Sequence, residues 1–491
     1  MNGDTWRPLG ATIDLDGLRN ASGLPSSLRD TVEQLTEEYA RHQGHNNKLK
    51  DYYDGNVRVS DYGVTADIEN DQTCDWPEKA VSAWAERITL ERVSLAAEQD
   101  STDLDRVLEY NDLINAYNQH VPVKGLYGCM AATVTRDQAG HARVRFHGAD
   151  TFTAIPSPDF TDGVVASGLA IARREFTSWS MQQMVPTVVH LHLPHDVGEF
   201  RQVESGRWVY EDAPIAEELP TLYVFAHRRV GTVAPFGRTR ITKFVRTLTD
   251  DAIRCMWHMQ ISGAFYSMAK LYMVGLTNDQ FDAVMENKSQ YQLSRMLALT
   301  TNEETGQNPV IGQLSGNSPQ PFIEELRSLA TQFSGATSVP LDALGIVQDN
   351  PSSAEAISSA RENIALIAKR DIESDKATLR RVIRAALAIE GNTTTDRLDA
   401  DVHLKFADPV RYSPAANADW ALKVNSMREV FGKTDVAARA VGIDDDELDE
   451  VKSEEAKEAA ATMARALFTQ LQQPQQPQNG GEDDDTQMDT Q

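Results

Sequence analysis

Three imidazoles and a carboxylate fall within one short run, His190-Leu191-His192-Leu193-Pro194-His195-Asp196. Alternate residues of a strand face the same side, so His190 and His192 share a face. Imidazole is a common zinc ligand, and bound zinc makes a hydroxide nucleophile from water at neutral pH. The run departs from the H-x-H-x-D-H order of hydrolytic metal sites, because its third His precedes the Asp and a proline intervenes. No other His or carboxylate announces itself as the missing ligand. A polar strand face leading into a turn accounts for the same residues. A metal-dependent hydrolase using His190, His192 and His195 stays open as an alternative.

Other chemistry leaves fainter traces. Gly335 and Gly345 precede a helix start, which could bind an anion, but no G-x-x-x-x-G-K-[ST] or strand-borne G-x-G-x-x-G is present. G-x-S-x-G, H-E-x-x-H and C-x-x-C are absent as well. The acidic run at 444–450 suits a solvated helix start, and Met256 and Met259 suit packing. Cys74, Cys129 and Cys255 are too widely spaced for a disulfide framework or a zinc knuckle. The expectation is a protein without catalytic residues, metal or cofactor.

The elements that would hold these residues follow from periodicity. Helices are expected from 25 to the Tyr52-Tyr53-Asp54-Gly55 turn, after Trp76-Pro77, and over 104–121, ending near Pro122. The period then falls to two. Strands fit 141–156, with an Asp-Gln-Ala-Gly hairpin turn before them, and 164–173, 187–193, 199–203 and 207–210. From 237 the chain turns helical, with Ile241, Phe244, Val245, Leu248, Ala252, Cys255, Met256 and Met259 as one stripe. An insert follows: a strand at 270–274, a helix from Thr277, a strand at 294–299 and a loop at 300–308. A helix then runs from Pro319 to about 333. After a loop over 335–353, Ser352 and Glu355 form a capping box for a nearly breaker-free helix at 356–390. A strand at 402–409 and helices at 414–431, 435–441 and 444–471 complete an α+β chain. The last twenty residues have too little apolar content to order themselves.

Charge narrows the function. Lys and Arg number 47 against 73 Asp and Glu, a net −26 over 491 residues. Such a surface does not wrap nucleic acid by neutralising phosphates. The start is acidic without an apolar core, and no stretch reaches the ~20 residues of a bilayer span. The expectation is a cytosolic product with no membrane partner.

Several strings, in order, resemble the portal proteins of tailed bacteriophages, in particular the SPP1-like portals of actinobacterial siphoviruses. They are Tyr52-Tyr53-Asp54-Gly55, the helix from Trp76-Pro77 to Ala85-Glu86-Arg87-Ile88, and the segment 237–251. Val339-Pro340-Leu341-Asp342-Ala343-Leu344-Gly345 followed by Asn350-Pro351-Ser352-Ser353-Ala354-Glu355-Ala356-Ile357 is the most specific. Phe406-Ala407-Asp408-Pro409, with Ala418-Asp419 and Lys423, closes the series. The sequence departs from the pattern where a Trp is usual, at Phe406, and where Pro-x-Arg is usual, at Met268-Ala269-Lys270.

The resemblance implies a portal fold with wing, stem, clip and crown, closed into a ring of about twelve copies. It implies an arm at 1–24, a wing at 25–237, stem helices at 238–268 and 319–334 and a clip at 269–318. A tunnel loop at 335–353, a long wing helix and closing strand at 354–409, crown helices at 410–471 and a disordered acidic tail at 472–491 complete it. Val339, Pro340, Gln348, Asp349 and Asn350 would belong to the tunnel loop facing a DNA channel, with Val339 and Leu341 anchoring its base and Asp349 and Asn350 at its polar tip. Thr300, Asn302, Glu303 and Glu304 would meet a head-to-tail adaptor. The other implied partners are further copies of the chain, the major capsid protein, the terminase large subunit and double-stranded DNA passing without sequence specificity. The protein would be made in the bacterial cytoplasm and reside at one vertex of the virion. An unrelated acidic scaffold or adaptor is the remaining alternative.

Overall fold

The computed structural model describes residues 15–60, 71–95, 102–157, 165–176, 184–194, 196–203, 206–216, 219–231, 234–267, 270–274, 278–286, 310–314, 318–346, 354–391 and 402–410, with single residues 419, 422, 423 and 426. The chain divides into a unit of residues 1–410 and a unit of residues 411–491. In the second unit the four described residues are helical, and Lys423 pairs with Asp419 one turn away at 2.6 Å. The other helices expected there, and the acidic tail, lie outside the described residues.

Within the arm expected at 1–24, a 3-10 helix, Asp16–Asn20, packs Leu18 into a core with Phe200 and Trp208; helix α1, Ser26–Tyr53, then starts after Pro25. Its face of Val32, Leu35, Tyr39, Leu49 and Tyr52 is buried, which is the periodicity expected for it. It stops at Asp54 and Gly55, whose φ of 68° is left-handed and suits a residue without Cβ. Helix α2, Trp76–Ala85, carries Pro77 in its first turn, where no donor is lost, and buries Ala80, Val81, Trp84 and Ala85. Strand β1, Leu90–Leu95, follows.

The helix expected over 104–121 is two helices. α3 is Thr102–Asn111 and α4 is Leu113–Tyr127, separated by Asp112 at a left-handed φ of 44°. Pro122, expected to end the helix, lies inside α4. Proline forfeits one ladder hydrogen bond, about 3 kcal/mol in an exposed helix. Here Leu113, Tyr117, Val121 and Lys124 are buried on both sides of it, and that packing holds the helix through the proline.

Two antiparallel sheets come next. β2 (Cys129–Arg136), β3 (Ala142–Gly148) and β9 (Leu222–Ala226) form one in the order β3-β2-β9. β4 (Phe152–Pro156), β5 (Val165–Phe176), β6 (Met184–His192), β7 (Asp196–Gln202) and β8 (Trp208–Ala216) form a meander. The alternating block at 141–156 therefore divides between the sheets, β3 in one and β4 in the other. The hairpin turn before it is present: the Asp137 carboxylate accepts from the amides of Ala139 and His141, both at 2.9 Å. β2 and β9 are buried on both faces, so they show no alternation to read.

Helix α5, Lys243–Ser267, and helix α7, Gln320–Thr337, pack together and flank a small insert. Ile241, just before α5, and Val245, Leu248, Ala252 and Cys255 form a buried stripe, whereas Phe244, at its edge, is 52% exposed. The opposite side of α5 is partly covered, since the Tyr52 hydroxyl of α1 donates to Asp250 at 2.9 Å. In the insert, β10 (Lys270–Val274) and helix α6 (Asn278–Glu286) are as expected. The partner of β10 is β11, Val310–Leu314, with Val274 opposite Val310. The strand and loop read at 294–308 lie outside the described residues. α7 runs through Gly335 and ends where Ser338 turns left-handed, so the following loop starts later than 335.

Helix α8, Ala354–Gly391, is the longest element, 38 residues or about 57 Å. Ser352 and Ser353 of the expected cap lie outside the described residues. Ile364, Ala368, Ile372, Leu379 and Ile383 bury its inner face in one core with Trp84, Tyr117, Phe146 and Phe225. Strand β12, Val402–Phe406, returns antiparallel to β1, pairing Val93 with Leu404.

Candidate functional site

On the buried face of α8, two carboxylates one turn apart interrupt the apolar stripe. Asp371 is 5% exposed and Asp375 1%. An unpaired buried charge would unfold this face, so each must meet a partner. Lys124 of α4, fully buried, bonds Asp375, and the Tyr117 hydroxyl donates to the same oxygen. His227, after β9, donates through Nδ1 to Asp371 at 2.8 Å, and the Trp84 indole of α2 donates to it at 3.0 Å.

Arg240, in the segment leading into α5, supplies the second buried cation. Its guanidinium donates to the carbonyl of Thr337 at 2.7 Å, at the end of α7, and to the carbonyl of Ala80 in α2. Trp84 stands between the cations, with Lys124 Nζ 5.3 Å and the Arg240 guanidinium carbon 5.5 Å from its ring centre. The electron-rich ring face favours both placements. Glycines let the backbones come this close. Gly237 has φ 77°, and a Cβ there would lie 2.3 Å from the His227 carbonyl oxygen.

Burial pushes the Asp375 carboxyl upward against the pull of Lys124. It also opposes ionisation of Asp371, but hydrogen bonds from His227 and Trp84 and the charge of Lys124 hold that carboxyl below its ordinary value. Burial lowers His227 to about 4 and Arg240 to about 9. His227 is thus a neutral donor, and two cations balance two carboxylates. The cluster ties α2, α4, α5, α7 and α8 together at one point. What it does is lock long helices at a crossing.

The base of the expected channel loop sits at this crossing. Val339 is fully buried in the α8 core, so its side chain anchors the chain there. Pro340 is half-buried and opens a 3-10 helix, Leu341–Leu344. From that turn, exposed Asp342 pairs with Arg361 of α8 at 2.6 Å. Gln348, Asp349 and Asn350 lie outside the described residues, as do Thr300, Asn302, Glu303 and Glu304. In the histidine run, the rings of His190 and His192 lie 6.0 Å apart on one strand. His192 is buried with Nδ1 2.8 Å from the Thr221 hydroxyl, and His190 approaches Glu199 at 3.4 Å. His195 lies outside the described residues, and among those described no group of three metal-ligating side chains is found. Sequence reading missed the cluster at the crossing. Its one signal was the Asp371, Asp375 pair, at i and i+4, on an otherwise apolar helix face.

Residues 237–461 match the family described as phage portal protein, SPP1 Gp6-like. The match takes in α5, the insert, α7 and α8, and of the crossing Arg240, Asp371 and Asp375. A portal protein of Mycobacterium phage D29 is 24% identical over 278 residues, 55% of this chain and 55% of that protein. A portal protein of Mycobacterium phage L5 is 25% identical over 230 residues, 46% of each chain. The chain thus spans about half the length of the curated relatives it matches. A solved structure described as the neck of an empty GTA particle superposes with a TM-score of 0.46 at 12% identity, over 89% of this chain and 100% of that one.

Proposed function

We infer from its likeness to tailed-phage portal proteins that this chain assembles into a closed ring serving as the conduit for DNA entering and leaving a capsid. The observation that carries the reading is the family match over 237–461, which falls on the segment where two packed helices flank a small α/β insert and lead into one long helix. In this reading α5 and α7 are stem helices, the insert at 269–318 is the clip, and the sheets with α1 to α4 form the wing. The segment after Val339 is the tunnel loop, and residues 410–471 form the crown.

The charge fits the task. Each copy carries −26, so a ring of about twelve presents DNA with a repelling surface. Phosphates that are not bound slide past without a salt-dependent hold. The polar cluster makes the junction of stem, tunnel loop and long helix rigid. Force on the loop would reach α8 through Val339 and the Asp342–Arg361 pair. The role is structural: the motor for packaging would be a separate terminase, and the clip would hold the adaptor at the capsid vertex. Mass photometry of the purified full chain, with electron microscopy, tests the reading. Closed rings with a central opening are expected, and a monomer or dimer at all concentrations would overturn it.

A further inference from the structure

Between α4, β3 and β5 lies a cavity of about 560 Å³, within the ordinary size range of small-ligand sites. Its charge runs against that of the chain. Arg145 of β3 and Arg173 and Arg174 of β5 line it, His120 of α4 faces in beside them, and Asp150 is its one carboxylate. Arg173 pairs with Glu175 at 3.0 Å. Neither Arg145 nor Arg174 has a carboxylate within ion-pair distance among the described residues. Arg145 donates one nitrogen to the Ala172 carbonyl at 2.6 Å. Nη2 of Arg174 is buried without a hydrogen-bond partner among the described residues, an orphan donor of the kind that a bound anion satisfies. Burial and the neighbouring charge of Arg143 both weigh against the charged form of Arg145. An arriving anion relieves that pressure.

We propose that this cavity is a binding site for a tetrahedral phosphate dianion, held by the guanidinium groups of Arg145, Arg173 and Arg174. Guanidinium forks suit such an oxyanion because they donate in parallel pairs to two oxygens at once. Phe146 and Ile171 supply an apolar wall that leaves room for the organic part of a small phosphoester. A DNA backbone offers the same group, but a chain of net −26 repels a polymer that must run across its surface, which leaves a small ligand as the occupant.

Isothermal titration of the full chain with inorganic phosphate, in chloride buffer at constant ionic strength, tests this. Saturable binding is expected, weakened about tenfold or more in Arg145→Gln/Arg174→Gln. Arg136→Gln/Arg201→Gln, in the adjacent cleft, should bind as the parent does. If the first double variant does not fold, the exposed Arg173→Gln replaces it, with about threefold weakening expected. A short DNA duplex is the second titrant. Absence of saturable phosphate binding, binding unchanged by the variants, or binding of DNA but not of phosphate would each overturn the proposal.

Discussion

Lys124 and Asp375 are both withdrawn from water, so each is tolerable only because of the other. Lys124→Ala strands a carboxylate already pushed upward by burial, and removing one partner of a buried pair costs about 3–5 kcal/mol. Urea unfolding should show that loss, and a change below about 1 kcal/mol would mean the pair is not closed as described. Three buried histidines make a second prediction. Burial lowers His227 to about 4 and His147 to about 3, and holds His192 well below its ordinary value. The unfolded chain, with ordinary histidines near 6.5, takes up protons that the folded chain refuses. Their contribution is therefore intact above about pH 6.5 and is lost as the pH falls toward about 4. Asp375, raised by burial, works in the opposite direction but as one group against three. Melting temperature should drop steadily from pH 7 to 5, less steeply in His147→Gln; a flat profile would show that the histidines are hydrated. No sequence pattern distinguishes these histidines from surface ones, because what lowers them is the packing of distant segments.

At the scale of elements, the segment into α5 crosses the chain after β9 at backbone distance. Gly237→Ala adds a Cβ where the nearest backbone oxygen is 2.3 Å away and φ is 77°, so the crossing must open. The expected loss exceeds about 1 kcal/mol, the scale of left-handed strain alone, and Arg240 would be drawn off the Thr337 carbonyl. A melting temperature within error of the parent would show that the crossing has slack. Arg361→Ala is the contrast. That ion pair is half exposed at both ends, so its loss should cost at most about 1 kcal/mol and leave assembly unchanged. Helices α1, α2, α5 and α8 were legible because each keeps one apolar face over several turns. The break at Asp112 and the continuation through Pro122 were not, since tertiary packing decides both. β2 and β9 escaped because strands buried on two faces show no period.

For the whole molecule, the proposed conduit makes the acidity a functional quantity. Asp349→Lys with Asn350→Lys would place cations on the tunnel loop, where they retain phosphates. Packaging should slow or stall at low salt and recover at higher salt, with ring mass unchanged. Parental packaging at low salt would remove this loop from the channel. The same contrast of sign bears on the arginine cavity, where a local cationic excess persists in a chain of 73 acids and 47 bases.

The sequence by itself determined the α+β class, the long helix, the helix–insert–helix order and the resemblance to phage portal proteins, because periodicity, caps and ordered local strings are written along the chain. The pairing of β1 with β12, of β10 with β11, and of Lys124 with Asp375 joins residues far apart in the chain. Neither partner's neighbourhood encodes the other, and burial becomes defined only when the segments meet. That is why the ionic crossing, the neutral histidines and the arginine cavity were decided by the tertiary structure alone.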